Sequence, residues 1–283
     1  MIRTPKHLAA LAAMSAALMA CSTPMMETAA SGQTTQAAPQ PDAALAAAIA
    51  NPARSEANKV RDLYRNPAAT LAFFGLKPGM TVIEVQPGSY YAEILSPYAK
   101  ATGGRYIGTG NQIAAVADHA VWGPQTYVPI SRESGPLAPA GSVDLIVTFR
   151  NFHNWYWQPG LTDKYFADFA AALKPGGVLG VVDHRADPRP EANVNGRLGG
   201  DGYVSKASVI AAAQKAGLVL DGESEINANP KDTKDHPFGV WTLPPNSWTS
   251  PRNQGETPAG FDAAKYKAIG ESDRFTLRFR KPA

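Results

Sequence analysis

Three runs of apolar, largely β-branched residues constrain this chain most: Met80–Val85, Val143–Phe149 and Val178–Val182. Each is strand-length, and none alternates with polar residues, so each has to be buried on both faces. Helix-patterned segments lie between and around them. Asn66-Pro67 starts a short helix, with Asn as cap and Pro in the first turn, and Gly75 ends it. Lys77-Pro78-Gly79 turns the chain into the first strand. A helix around Tyr91–Lys100 and a strand at Arg105–Gly108 follow. Phe166, Phe169, Ala170 and Leu173 recur at helical spacing, which predicts an amphipathic helix over 162–173 broken by Lys174-Pro175-Gly176-Gly177. Ser205 caps a helix ending at Gly217, and Leu218–Leu220 begins another strand. Phe275, Leu277 and Phe279 alternate with Thr276, Arg278 and Arg280, the pattern of an antiparallel or edge strand. Strands alternating with helices imply an α/β domain with a mostly parallel sheet covered on both faces. Residues 55–283 suit one such domain, and no internal repeat divides them.

The N-terminus reads as an address. Arg3, Lys6 and His7 precede an uncharged Ala/Leu/Met run, Leu8–Ala20. That run is shorter than the roughly 20 residues a spanning helix needs, and the pattern is that of a secretory signal. It ends in Leu18-Met19-Ala20-Cys21, which resembles a bacterial lipoprotein signal, so residues 1–20 are expected to be removed and Cys21 lipidated. The alternative is a plain signal with an incidental cysteine. Cys21 is the sole cysteine, so no internal disulfide can form, and acylation would consume an otherwise reactive thiol. A lipid would anchor the protein to a membrane from the exported, periplasmic side rather than make it span. Residues 21–54, rich in Ala, Ser, Thr and Pro, read as a flexible spacer, with a possible short helix at Asp42–Ala50. Loss of Arg3 and Lys6 lowers the formal charge from +3 to +1, which gives no argument for a nucleic-acid partner.

Ligands of parallel sheets sit beyond the carboxyl ends of the strands, where the strand order reverses. The candidates therefore follow Val85, Gly108, Phe149 and Val182. After the first strand, Glu84-Val85-Gln86-Pro87-Gly88-Ser89-Tyr90 is a turn leading into a helix N-terminus, which can bring backbone N–H groups to a ligand. It has one glycine where a dinucleotide fingerprint needs three, which disfavours an NAD-type domain. Arg150-Asn151-Phe152-His153-Asn154-Trp155 packs polar and aromatic groups at a strand end; the alternative is a structural loop covering the sheet edge. Asp183-His184-Arg185 is either a pocket wall or a solvated strand end.

At these points the sequence resembles class I S-adenosylmethionine (SAM)-dependent methyltransferases, and within them an uncharacterised group of bacterial predicted methyltransferases. The resemblance rests on the acid-plus-glycine turn, the Val143–Thr148 strand and Leu173-Lys174-Pro175-Gly176-Gly177-Val178-Leu179. The narrower match rests on Phe149-Arg150-Asn151-x-His153-Asn154-Trp155, Asn229-Pro230-x-Asp232 and the closing stretch Asp273–Pro282. It implies a Rossmann-like methyltransferase sandwich, a seven-stranded, mostly parallel sheet with an antiparallel last strand. It also implies that Glu84, Gln86, Pro87, Gly88, Ser89 and Tyr90 cradle the amino-acid end of SAM. Thr109, Gly110 and Asn111 would approach the ribose, and Arg150, Asn151 and Asn154 would line the transfer centre. Methyl transfer needs positioning, plus a base where the acceptor loses a proton; His153 is the first candidate and His184 the second. The acceptor would be a small or envelope-associated molecule.

A different class of function stays in view: a non-catalytic envelope protein that kept the fold and binds SAM, a nucleoside or another small ligand. The thin glycine turn and the missing carboxylate after Gly108 favour it, as does export away from the cytosol where SAM is made; the cluster at Arg150–Asn154 favours the enzyme. His119, His153, His184 and His236 show no metal-ligand spacing, so no metal is expected. Residues 227–270 form a long Pro-rich insertion whose tryptophans suggest a cover over the pocket; the alternative is simple packing on the domain surface. Tyr64, Arg65 and Asn66 could cap that pocket from the N-terminal side.

Overall fold

A computed structural model describes residues 42–283. Residues 1–20, Cys21 and residues 22–41 of the spacer lie outside the described residues. Helices α1 (Ala43–Ile49), α2 (Glu56–Lys59), α3 (Asp62–Arg65) and α4 (Pro67–Phe73) precede the sheet. Asp42 caps α1 by accepting from the Leu45 N–H at 2.7 Å, and Leu45 and Ala48 are buried. Helix α4 begins at Pro67, but Asn66 does not cap it. Its backbone is left-handed, at φ 40°, and its side-chain amide donates instead to the Ile226 carbonyl at 2.7 Å.

Seven strands form one sheet: β1 (Thr81–Val85), β2 (Arg105–Thr109), β3 (Gln125–Val128), β4 (Val143–Phe149), β5 (Leu173–His184), β6 (Val219–Ser224) and β7 (Arg274–Arg280). Their order is β3-β2-β1-β4-β5-β7-β6, with β7 antiparallel to both neighbours and the other pairs parallel. This is the Rossmann-like arrangement of class I methyltransferases. Helices α5 (Ser89–Thr102), α6 (His119–Trp122), α7 (Phe152–Trp155), α8 (Leu161–Ala172), α9 (Lys206–Lys215) and α10 (Ala263–Ile269) complete the elements that matter below. The order reverses between β1 and β4, so their carboxyl ends form the crevice.

Alternation along β1 builds both cores. Ile83 and Val85 point to one face with Phe166 and Phe169 of α8, while Val82 points to the other with Tyr91, Ile94 and Leu95 of α5. Each such buried ring or branched chain contributes about 1.5–3 kcal/mol. Gly180 of β5 has its own reason. A Cβ there would sit 2.6 Å from the Phe74 ring, so the ring lies flat on the strand only above a glycine.

Two sequence expectations change in detail. The last strand is antiparallel but internal, between β5 and β6, and Thr276 is fully buried. Its outward arginines are satisfied by neighbours, Arg278 donating to the Phe73 carbonyl at 2.8 Å and Arg280 pairing with Asp221 at 2.6 Å. The Lys174–Gly177 turn is an irregular start of β5 rather than a loop outside it; Leu173 already pairs with Val143. The insertion 227–270 is fastened at its base. Asn229 donates to the carbonyls of Ile269 and Glu271, at 2.9 and 2.7 Å. Asp232 accepts from His236 Nε2 at 2.7 Å, the Tyr203 hydroxyl at 3.0 Å and the Asp273 N–H at 2.8 Å.

Candidate active site

The turn after β1 is held by its own side chains. Gln86 is left-handed, at φ 45°; its N–H donates to Thr109 Oγ1 at 2.8 Å, and its Oε1 accepts from Trp155 Nε1 at 2.7 Å. Asn151 donates to the Val85 carbonyl at 2.8 Å and ties the β4 end to the β1 end. Gly88 then precedes the first turn of α5, and nothing lies within 4 Å of where its Cβ would be. Glu84, buried on the α5 face, accepts from the Tyr106 hydroxyl at 2.8 Å. Burial dominates its titration, against the weaker pull of that hydrogen bond and of Arg65, and pushes it up to about 8.

Beyond β4 the chain turns through Arg150, left-handed at φ 61°, whose N–H donates to the Val182 carbonyl. This backbone sends the guanidinium into the crevice. Among the described residues its side chain has no hydrogen-bond or ion-pair partner, and its Nε is sealed from solvent. Burial, reinforced by Arg65, Arg274 and Arg61, lowers it to about 9. Those three arginines share one carboxylate, Glu271, at 2.9 to 3.0 Å. Burial alone would raise Glu271; Arg274, Arg65, Arg150 and Arg61 carry it down to about 2. Four guanidinium groups against one carboxylate leave this part of the crevice cationic.

The catalytic candidates meet at the ends of β4 and β5. Asp183, fully buried, accepts from His153 Nδ1 at 2.9 Å, from the His153 N–H at 3.2 Å and from the His184 N–H at 2.8 Å. An ionised carboxylate only accepts, so the proton of neutral His153 sits on Nδ1 and Nε2 carries a lone pair. No described residue bonds that Nε2. His184 turns its Nδ1 to Ser272 Oγ at 2.5 Å, and burial, then His153 and Arg150, hold it well below its ordinary value, hence neutral. Ligand atoms of His153, Asp183 and His184 lie within 4.8 Å of one another, a convergence that their sequence spacing did not signal. Both Asp183 oxygens are already committed to N–H donors, and Arg150, Arg274 and Arg65 bear on the same spot, which opposes a cation.

Three cavities run along this edge. One of about 270 Å³ is lined by Glu84, Gln86, Gly88, Ser89, Tyr90 and Arg150, together with Arg61, Arg65 and Asn151. The next, about 140 Å³, shares Arg150 with it and adds His153, Asn154, His184 and Glu271. The third, about 500 Å³, shares His153, Asn154 and Trp241 with the second. His153 thus stands where the second and third meet. A further cavity of about 600 Å³ runs from the amino ends of β1 and β2, at Thr81 and Arg105, away from this chemistry.

Most residues singled out in sequence converge here. Pro87 packs toward Gly108 instead of lining a cavity, and Thr109, Gly110 and Asn111 line none of the four. Tyr127 crowds Gly108 so closely that a Cβ there would lie 2.5 Å from its ring. Asp183 was named in sequence as a pocket wall or a solvated strand end, without a role of its own; Glu271 and Arg61 were not expected in the site and carry no local signal.

No protein-family model matches the chain, and no curated protein matches it. Among solved structures, the complex between the Haloferax volcanii Trm112 methyltransferase activator and a candidate methyltransferase superposes with a TM-score of 0.49 at 19% identity, covering 86% of this chain and 99% of that one. A SAM-dependent methyltransferase from Aquifex aeolicus gives 0.47 at 18%, covering 81% and 100%. The Burkholderia thailandensis 1,6-didemethyltoxoflavin-N1-methyltransferase, with 1,6-didemethyltoxoflavin and S-adenosylhomocysteine bound, gives 0.46 at 14%, covering 85% and 79%. All three scores fall below one half and carry nothing about reaction or ligand. The class I methyltransferase-like fold rests on the strand order.

Proposed function

We propose that the chain is a SAM-dependent methyltransferase in which His153, oriented by Asp183, takes the acceptor's proton. The observation that carries this is the Asp183–His153 pair with Nε2 free at the junction of the cavities. The residues fit SAM at its amino-acid end. The cationic wall of Arg61, Arg65 and Arg150 suits a carboxylate, and the α5 N-terminus beyond Gly88 adds unpaired N–H groups. SAM, when bound, supplies an electrophilic methyl carbon. The chain's own residues do the rest. Arg150 and the 270 Å³ cavity hold the carboxylate of the amino-acid end, and the 500 Å³ cavity places the acceptor. His153 Nε2 removes the proton from the attacking atom, and Asp183 stabilises the resulting imidazolium, an arrangement worth about 10²–10⁴ in rate.

One observation favours a second reading, a binding protein without turnover. The ribose side offers no carboxylate: Thr109 Oγ1 is engaged by Gln86, and Tyr127 and Pro87 pack on Gly108. Calorimetry and thermal shift with SAM and S-adenosylhomocysteine on residues 42–283 test the enzyme reading. No heat and no shift with either sinks it; binding of both keeps it, and conversion of SAM to S-adenosylhomocysteine then separates it from a SAM-binding protein without turnover.

Export and acylation belong to the same proposal and are supported by Arg3, Lys6, the Leu8–Ala20 run and Cys21. A Cys21→Ser chain is expected to leave the membrane fraction for the soluble one. A variant that still fractionates with membranes removes the lipid anchor.

A further inference from the structure

The 500 Å³ cavity has a lining that methyl transfer by itself does not call for. Its volume is that of a small-molecule site. Three of its walls are indoles: Trp157, Trp241 and Trp248. Trp241 and Trp248 stack at 5.3 Å between centroids and 19° between planes, and Trp241 meets the His153 ring edge-on at 6.1 Å. Flat aromatic surface beside the base selects a flat ring.

The sign of the ligand's charge follows from the rim. Tryptophan-lined cavities commonly take cations through their ring faces. Here that role is already filled, because the Arg197 guanidinium lies 4.2 Å from the Trp157 ring centroid. Arg252 lines the same cavity, and no Asp or Glu does. Neither Arg197 nor Arg252 has an ion-pair or side-chain hydrogen-bond partner among the described residues. Arg197 is presented by a two-stranded hairpin, Asn193–Val194 against Arg197–Leu198. Its Asn195-Gly196 turn has positive φ at both residues, 53° and 75°, as a tight two-residue hairpin requires. The charge is therefore held over the cavity on a short, fixed turn.

From this geometry we infer that the acceptor is an aromatic carboxylate bearing an ionisable hydroxyl. Its ring lies among Trp157, Trp241 and Trp248, its carboxylate faces Arg197 and Arg252, and its hydroxyl faces His153 Nε2. The inference rests on the methyltransferase reading for the word acceptor, and on the cavity alone for the ligand class. The step balances: the hydroxyl proton goes to His153, and the oxygen lone pair forms the new bond to the methyl carbon. The pair of the broken carbon–sulfur bond returns to sulfur.

The test is tryptophan-fluorescence quenching and calorimetry without SAM, using benzoate, 4-hydroxybenzoate and 6-hydroxy-2-naphthoate. The uncharged 4-hydroxybenzyl alcohol is the control. At least one carboxylate is expected to bind about tenfold tighter than the alcohol, and Arg197→Gln with Arg252→Gln is expected to erase that preference. Equal binding of the alcohol, a preference that survives in the double variant, or no quenching by any carboxylate up to about 10 mM overturns the inference. A SAM titration of the same preparation keeps the two proposals apart. Ring anions binding without SAM leaves the site and removes the enzyme; SAM binding without ring anions removes only the acceptor class.

Discussion

Glu84 and Glu271 line neighbouring cavities at the same sheet edge and are equally buried, 3% and 2% exposed, yet they are driven in opposite directions. Glu84 has a phenol for a partner, so burial wins and keeps it protonated up to about 8. Glu271 has three guanidinium groups within 3.0 Å, and these hold it ionised down to about 2. The surrounding halves of the edge differ in the same way. At β1 and β2 the polar groups are paired within the chain: Gln86 to Thr109 and Trp155, Asn151 to Val85. Around β4 and β5 some are left over: among the described residues the Arg150 side chain has no partner, Arg65 Nη2 is sealed and unpaired, and none bonds His153 Nε2. Buried groups without partners cost about 1–3 kcal/mol each, more when charged. Sealed, unpaired atoms also occur elsewhere among the described residues, as at Thr162 and Arg189; what sets Arg150 apart is that it lines two cavities, so we place the proposed chemistry at the β4–β5 half and read the β1–β2 half as its frame.

The largest effect should come from breaking the chemical half at Asp183. With Asn in its place, the side-chain amide can donate to His153 Nδ1, which moves the imidazole proton to Nε2 and removes the base. Turnover of any acceptor that the wild type methylates is expected to fall by about 10²–10⁴, with SAM affinity kept within about twofold. Nitrogen-15 NMR of His153 reads the tautomer directly and does not depend on the acceptor. A spectrum that keeps the proton on Nδ1 in Asp183→Asn would count against the orienting role, as would unchanged turnover.

The two halves were unequally legible in sequence. Met80–Val85, Val143–Phe149 and Val178–Val182 announce the central strands because burial on both faces makes them predominantly apolar and keeps polar residues from alternating through them. Strand β3, Gln-Thr-Tyr-Val at the sheet's end, has no such run and was missed. Arg150, His153 and Asn154 were singled out because a strand end is where ligands sit, and they line the cavities there. Glu271 was not, since its meaning depends on Arg61 and Arg65, some two hundred positions earlier, and on Arg274. Thr109 was read as a ribose contact from its place after β2; what its hydroxyl actually bonds, the Gln86 N–H, is set by a left-handed residue that a propensity reading does not foresee. The insertion was read as either a cover or simple surface packing; its Trp241, Trp248 and Arg252 line the 500 Å³ cavity, while the pairing of Trp157 with Arg197 required the hairpin to bring them together.

The carboxylate pair supplies the smaller effects and the sharpest form of the comparison. Replacing Glu271 by Gln strands Arg61, Arg65 and Arg274 without their shared counter-charge, at an expected cost of about 3–5 kcal/mol in urea unfolding near neutral pH. Glu271 is lowered in the fold, so its contribution is complete above its ordinary 4.5 and disappears as pH falls through about 2. Glu84 behaves oppositely. Raised from 4.5 to about 8, it binds its proton more tightly in the fold than in the open chain. Stability is then greatest below 4.5 and declines as pH rises toward about 8, by up to about 1.4 kcal/mol per pH unit, after which it levels. Gln keeps an acceptor for the Tyr106 hydroxyl and cannot ionise, so Glu84→Gln should flatten that decline and gain on the wild type as pH rises. Unfolding midpoints at pH 5, 6.5 and 8 decide it. Parallel curves for the two proteins would mean that Glu84 is ionised in the fold, and the β1 half would then be as charged as the β5 half.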